Sequence, residues 1–168
     1  MKTLVLGLGN TILRDDGVGI YVARALNDRL AGLADVGEAE LAGFDLIERL
    51  KGYERAIIID AIQLDDEAPG VVFRMRPDDI RITARLASFH DIDLVTALEL
   101  GRRLRFAMPA DVLIYAVQVE DARTLGEGCT EQVSHVIAPL ADEIAAEVAG
   151  RPYTAVSIPL SERRKGRA

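Results

Sequence analysis

A single cysteine, Cys129, stands among the 168 residues, so no intrachain disulfide can form. That usage fits a reducing cytoplasm, and a cytoplasmic location is expected. Histidine is almost as scarce, with only His90 and His135. No uncharged apolar run approaches the roughly 18 residues that a spanning helix needs, so no membrane insertion is expected. The short apolar run at the amino terminus ends in glycines without a small-residue cleavage site, so no signal peptide is read there. Positive charge is in deficit. The net charge of −7 argues against a general affinity for nucleic acid or anionic lipid, because phosphate binding needs clustered Lys and Arg. There is also no internal repeat, no linker and no low-complexity block.

What is present fits one globular domain. Apolar residues make up 49% and charged residues 28% of the chain, and a chain this long buries a core without staples. The charge is unevenly spread. Residues 151–168 carry Arg151, Arg163, Arg164, Lys165 and Arg167 against Glu162, a balance of +4, which leaves −11 on residues 1–150. The expected organisation is a domain over 1–150 followed by a basic flexible tail over 151–168.

Strand and helix signals alternate along the chain. Thr3–Leu8 and Ala56–Ala61 are short continuous apolar runs, the pattern of strands covered on both faces of a parallel sheet. Val112–Val119 reads the same way, Val36–Leu41 alternates weakly, and Val71–Met75 after the Pro69-Gly70 turn reads as an edge strand. Val18, Val22, Ala25 and Leu26 share a helical face in a helix starting near Asp16. Phe44, Ile47 and Leu50 suggest a short helix ended by Gly52, and Ile92, Val95 and Leu98 another. Val133, Ile137, Leu140, Ile144 and Val148 form the stripe of a long last helix, expected to be capped by Thr130 and kinked at Pro139. The fold class is α/β: a single-domain three-layer α/β/α arrangement around a twisted, mostly parallel sheet of about five strands.

Three places carry candidate chemistry. The first is Gly7-Leu8-Gly9-Asn10 running to Asp15-Asp16-Gly17-Val18-Gly19. Ile12 stands where a dinucleotide fingerprint needs its third glycine, and no Gly-Lys-Ser/Thr follows for a P-loop. What remains is a pair of carboxylates at the carboxyl end of a strand, where open α/β sheets bind ligands; the plainer reading is helix capping. The second is Asp60, a carboxylate that interrupts an apolar strand and is costly to bury unless paired or metal-bound; the plainer reading is a strand end. The third is His90, just before a predicted helix whose dipole keeps the ring neutral; the plainer reading is an ordinary loop histidine. His135 falls about 200° from Val133 around the helix and is expected to be solvated.

Together Asp16, Asp60 and His90 make an oxygen-rich borderline set that suits Ni, Mn, Fe or Zn without choosing among them. Other schemes fit less well. There is no His-Glu-x-x-His motif. Cys129 and His135 are wrongly spaced on one helix for a thiolate pair, and Ser88, His90 and Asp91 lie too close in sequence for a relay.

At these residues the chain resembles a known family. Gly7-Leu8-Gly9-Asn10 followed by Asp15-Asp16-Gly17-Val18-Gly19 resembles the first signature of the hydrogenase maturation endopeptidases. Asp60-Ala61 followed by Pro69-Gly70 is similar to their second block, and Ser88-Phe89-His90 to their third. The resemblance covers residues 1–149. The chain departs from it at Leu41-Ala42-Gly43-Phe44, where many members carry Gly-Thr or Gly-Gly, and at Asp91. The resemblance implies a protease that removes the C-terminal extension of a [NiFe] hydrogenase large-subunit precursor after nickel insertion. The cut would follow a His or Arg just beyond the cysteine motif that holds the metals. It implies that Asp16, Asp60 and His90 are both the metal ligands and the catalytic residues. The nickel is carried by the substrate, with another divalent cation able to substitute, and the protease is expected to be a monomer. Two alternatives stay open: a non-catalytic nickel-binding chaperone, and a peptidyl-tRNA hydrolase-like esterase, which shares Gly-Leu-Gly-Asn but departs at Thr11-Ile12.

Overall fold

The computed structural model describes residues 1–40, 44–82 and 89–160; for residues 44, 81–82 and 89–93 the description is of the backbone alone. Among these residues the chain forms β1 (Thr3–Leu8), α1 (Val18–Leu26), β2 (Asp35–Ala39), α2 (Phe44–Leu50), β3 (Arg55–Ile62), β4 (Val72–Met75), α3 (Pro77–Ile82), α4 (Phe89–Arg103), β5 (Asp111–Gln118), α5 (Glu131–Ala149) and β6 (Ser157–Pro159). The strands make one sheet of order β2-β1-β3-β5-β4-β6. β2, β1, β3 and β5 are mutually parallel, β4 is antiparallel to β5, and β6 runs parallel to β4. No helix among the described residues is long and apolar enough to cross a membrane.

The apolar runs sit where double coverage demands them. In β3, Ala56, Ile58 and Ile62 pack under α2 and α4 with Leu46, Leu50, Leu94 and Leu98. Ile57, Ile59 and Ala61 point the other way, against Val18, Val22 and Ile144 of α1 and α5. Period-two alternation therefore divides one continuous apolar strand between two cores. The three-layer expectation holds, with a sixth strand added to the expected five.

Several details differ from expectation. β4 is not an edge, because β6 pairs along its outer side, Val72 opposite Ser157 and Arg74 opposite Pro159. The flexible tail drawn from residue 151 is corrected for its first ten residues. Buried Glu143 accepts hydrogen bonds from the Val156 and Ser157 N–H groups at 2.7 and 3.0 Å and from the Ser157 hydroxyl. Tyr153 donates to Glu147 at 2.7 Å, and Leu160 is buried. Residues 161–168 lie outside the described residues. α5 runs unbroken over Glu131–Ala149 despite Pro139, and it ends at Gly150 with φ 63°, a left-handed position that glycine takes without strain. α3 has no strong apolar period in the sequence. Leu41, expected at the end of the second strand, lies outside the described residues.

Candidate active site

A sheet ordered β2-β1-β3-β5 has its switch point between β1 and β3. The chain leaves β1 toward β2 on one side and returns to β3 on the other. Ligands bind in open α/β sheets in the crevice beyond the carboxyl ends of such a strand pair. Gly7 of β1 lies opposite Ile59 of β3, so the segment after β1 and residue 60 of β3 meet at that edge. The chain then turns tightly into α1. A Cβ on Gly19 would stand 2.3 Å from the Ile59 carbonyl oxygen and 2.4 Å from that of Leu8, so α1 rests backbone-on-backbone upon both strand ends. Gly9 has φ 135°, and a Cβ there would meet the Asp16 carbonyl oxygen at 1.8 Å.

Asp16 lies in a 3₁₀ turn over Arg14–Gly17 that precedes α1. It is half-buried, and its Oδ2 accepts the Asn10 N–H at 2.8 Å. Asn10 in turn accepts the Ile12 N–H through Oδ1 at 3.1 Å, an Asx turn that shapes the loop. Asp60 is 1% exposed, and its Oδ1 accepts the Ala61 N–H at 2.8 Å. By the pleat it shares the sheet face of Ile58 and Ile62, which is the face covered by α2 and α4.

His90 is the second residue of α4. The connection from α4 to β5 lies at the amino edge of the sheet, where Ala110 N–H bonds the Glu54 carbonyl just before β3. α4 covers the sheet face of Ile58 and Ile62 through Leu94, Ala97 and Leu98, so His90 begins a helix in the layer over the face that Asp60 shares. The His90 side chain lies outside the described residues. Among the described side chains, no three His, Cys, Asp or Glu gather as a metal-holding group. His135 is exposed on α5, as its helical angle predicts.

The capping reading does not hold for Asp15. Its own turn receives no side-chain cap, and its carboxylate, 0% exposed, reaches across the chain instead. Oδ1 accepts the Thr130 N–H at 2.6 Å. Oδ2 accepts the Glu120 and Asp121 N–H groups at 3.1 and 3.0 Å and the Thr130 hydroxyl at 3.0 Å. Thr130 is the N-cap residue of α5, yet its side chain makes no capping bond; its hydroxyl donates to Asp15. Nothing local in the sequence signals this set; three of the four donors are backbone N–H groups and the fourth is a hydroxyl, all more than a hundred residues away.

Cys129 is not a nucleophile here. Burial, and then the neighbouring Asp15 charge, push its thiol up to about 12. Reactivity follows the thiolate, so alkylation by iodoacetamide at pH 8 is expected to run about a hundredfold or more below that of a free thiol. Fast labelling of the folded protein would contradict this. A groove of about 660 Å³ opens at the carboxyl end of β2. It is lined by Ile20 and by Glu38, Glu40, Asp45 and Glu48 against Arg49. Neither Asp16 nor Asp60 lines it.

These features define a doubly wound α/β protein with carboxylates at the switch point of its sheet. The family model described as hydrogenase maturation protease matches residues 20–147. The chain belongs to the hydrogenase maturation protease family and is a hydrolase, an endopeptidase of hydrogenase maturation. It is similar to the hydrogenase 2 maturation protease of Escherichia coli strain K12, 27% identical over 151 residues, which are 87% of this chain and 90% of that protein. Among solved structures, the hydrogenase maturating endopeptidase HybD from E. coli superposes with a TM-score of 0.75. It is 24% identical and covers 89% of this chain and 93% of its own, a likeness of fold. The [NiFe] hydrogenase maturation protease HybD from Thermococcus kodakarensis gives 0.66 at 28% identity, covering 89% and 99%.

Proposed function

We propose that this protease removes the C-terminal extension of a [NiFe] hydrogenase large-subunit precursor, and that Asp16, Asp60 and His90 engage the nickel which the precursor carries. The observation behind the reading is topological. One carboxylate stands in the turn between β1 and α1 and another near the end of β3, adjacent parallel strands at the switch point; the reading joins to them the start of α4, whose layer covers the face of Asp60. Two carboxylates and one imidazole form a borderline donor set that fits nickel and leaves positions for substrate atoms. The chain's own part is to hold those donors still. The Asn10 N–H fixes one oxygen of Asp16, and the Ala61 N–H fixes one oxygen of Asp60. Nickel in the precursor supplies Lewis acidity at the bond to be cut. Positioning the peptide against that cation converts metal loading into a condition for cleavage.

The groove of about 660 Å³ at the carboxyl end of β2 is, in this reading, where part of the precursor rests. The protein acts as a cytoplasmic monomer in this reading, supported by a single half-buried thiol and a net charge of −7; sedimentation at the mass of two chains would remove the monomer. The central test is a mass measurement of nickel-loaded and nickel-free precursor after incubation with the protein. A shorter C-terminus is expected only in the loaded sample. Equal cleavage of both would sink nickel recognition, and cleavage of neither would favour a non-catalytic nickel-binding chaperone.

A further inference from the structure

We propose that Asp15 is a positioning residue for the reaction: its buried carboxylate clamps the 10–16 loop to the start of α5 and so fixes the neighbouring Asp16 at the carboxyl edge. The inference rests on the reading of Asp16 as a metal-engaging group. Adjacent in sequence, the two carboxylates face opposite duties. Asp15 spends both oxygens on four donors from residues 120–130. All four partners present hydrogens, so the position demands an acceptor on both sides, which a carboxylate supplies and an amide does not. Its charge is further met by the amino end of the 19-residue α5.

The clamp extends along the backbone. Arg14 N–H bonds the Gly126 carbonyl at 2.9 Å, Gly126 N–H bonds that of Ile12 at 2.9 Å, and Asp15 N–H bonds that of Asp121 at 3.0 Å. Asp16 follows directly, its N–H on the Leu13 carbonyl at 3.0 Å and its carboxylate on the Asn10 N–H. Residue 16 is thereby held between an anchor in the β5–α5 connection and an anchor in the turn after β1. Groups that orient a metal ligand typically carry about 10–100-fold of the affinity or rate, and small misplacements are costly in catalysis.

The test uses the full chain with nickel-loaded precursor, at a temperature where circular dichroism shows every variant folded. Asp15→Asn keeps the volume but turns an NH₂ toward N–H donors. Its kcat is expected to fall about 10–100-fold with KM for the precursor within about twofold. Thr130→Val removes one donor and leaves the three N–H bonds, so a smaller fall in kcat in the same direction is expected, and it carries the test if Asp15→Asn does not fold. Asp16→Asn and the Asp15→Asn/Asp16→Asn double variant complete a cycle, in which no further loss is expected once Asp16 is altered. A lowered melting temperature with unchanged kcat in both Asp15→Asn and Thr130→Val would mean that Asp15 serves the fold alone, and the proposal falls. Additive losses in the cycle would likewise overturn it. Wild-type processing by Asp16→Asn would instead overturn the site reading beneath it.

Discussion

Asp60→Asn is expected to leave the domain folded while processing of a nickel-loaded precursor falls at least ~100-fold. The reasoning starts from cost. Asp60 is 1% exposed near the carboxyl end of a strand that is otherwise apolar after Arg55, and a buried carboxylate is unfavourable unless its charge has a use or a partner. Asn has nearly the same shape, and its oxygen still accepts the Ala61 N–H, so packing and the local bond survive. The charge is lost, and with it an anionic donor for a cation. A structural carboxylate behaves oppositely. Asp15→Asn would strand donors and cost on the order of 1–3 kcal/mol. The pairing of lost activity with retained stability therefore separates the two aspartates. His90→Ala is expected to follow Asp60→Asn, with processing abolished and the fold intact. Melting curves and precursor cleavage on the same preparations check both. If Asp60→Asn cleaves at the wild-type rate, the assignment of Asp60 fails; if it merely unfolds more easily, its role is structural.

Much of this was legible because burial writes itself into sequence. β1, β3 and β5 read correctly because strands covered on both faces need apolar residues at every position, and Asp60 stood out against such a run. The glycines around Asp16 were legible only as a motif; the structure shows the reason for two of them, since Gly9 and Gly19 each lie where a Cβ would strike a carbonyl oxygen. β6 was not legible. Ser157-Ile158-Pro159 has no strand period, and what orders it is Glu143 on another element, together with the open side of β4. Asp15 was misassigned for the same reason. Backbone N–H groups look alike in every sequence, so an acid that pairs with three of them across the fold leaves no pattern. Thr130 had the right position for a cap and a different use for its hydroxyl. Local signals describe what a residue can do for its own segment, and the site is built from what residues do for other segments.

Truncation after Gly150 is the second large effect, with an expected loss of about 3–5 kcal/mol, the scale reported for a buried charge deprived of its partners. Glu143 is 1% exposed and spends its carboxylate on the Val156 N–H, the Ser157 N–H and the Ser157 hydroxyl. Without residues 151–160 that charge stays inside α5's packed face with none of those three bonds, and β4 loses the strand on its outer side. Glu147 adds to the same clasp. It accepts hydrogen bonds from Tyr153 at 2.7 Å and from Arg55 at 2.6 Å, and it meets Arg74 at 3.3 Å. Burial alone would push its carboxyl up, but the bonds from Tyr153 and Arg55 and the charge of Arg74 outweigh it and hold Glu147 below the ordinary glutamate range. A depressed carboxyl contributes stability that is complete above its unfolded value of about 4.3 and is lost as pH falls through the folded value. The clasp should therefore be intact at neutral pH and weaken below about pH 4. Glu143→Gln, which keeps the volume and one acceptor oxygen, is expected to cost about 1–3 kcal/mol. At roughly 2–4 °C per kcal/mol for a domain this size, that is a fall of several degrees in Tm. Calorimetry of the full chain, the Glu143→Gln variant and the chain ending at Gly150 ranks the three. Equal melting temperatures would show that residues 151–160 rest on the domain without stabilising it, and the tail would regain the independence its composition suggests.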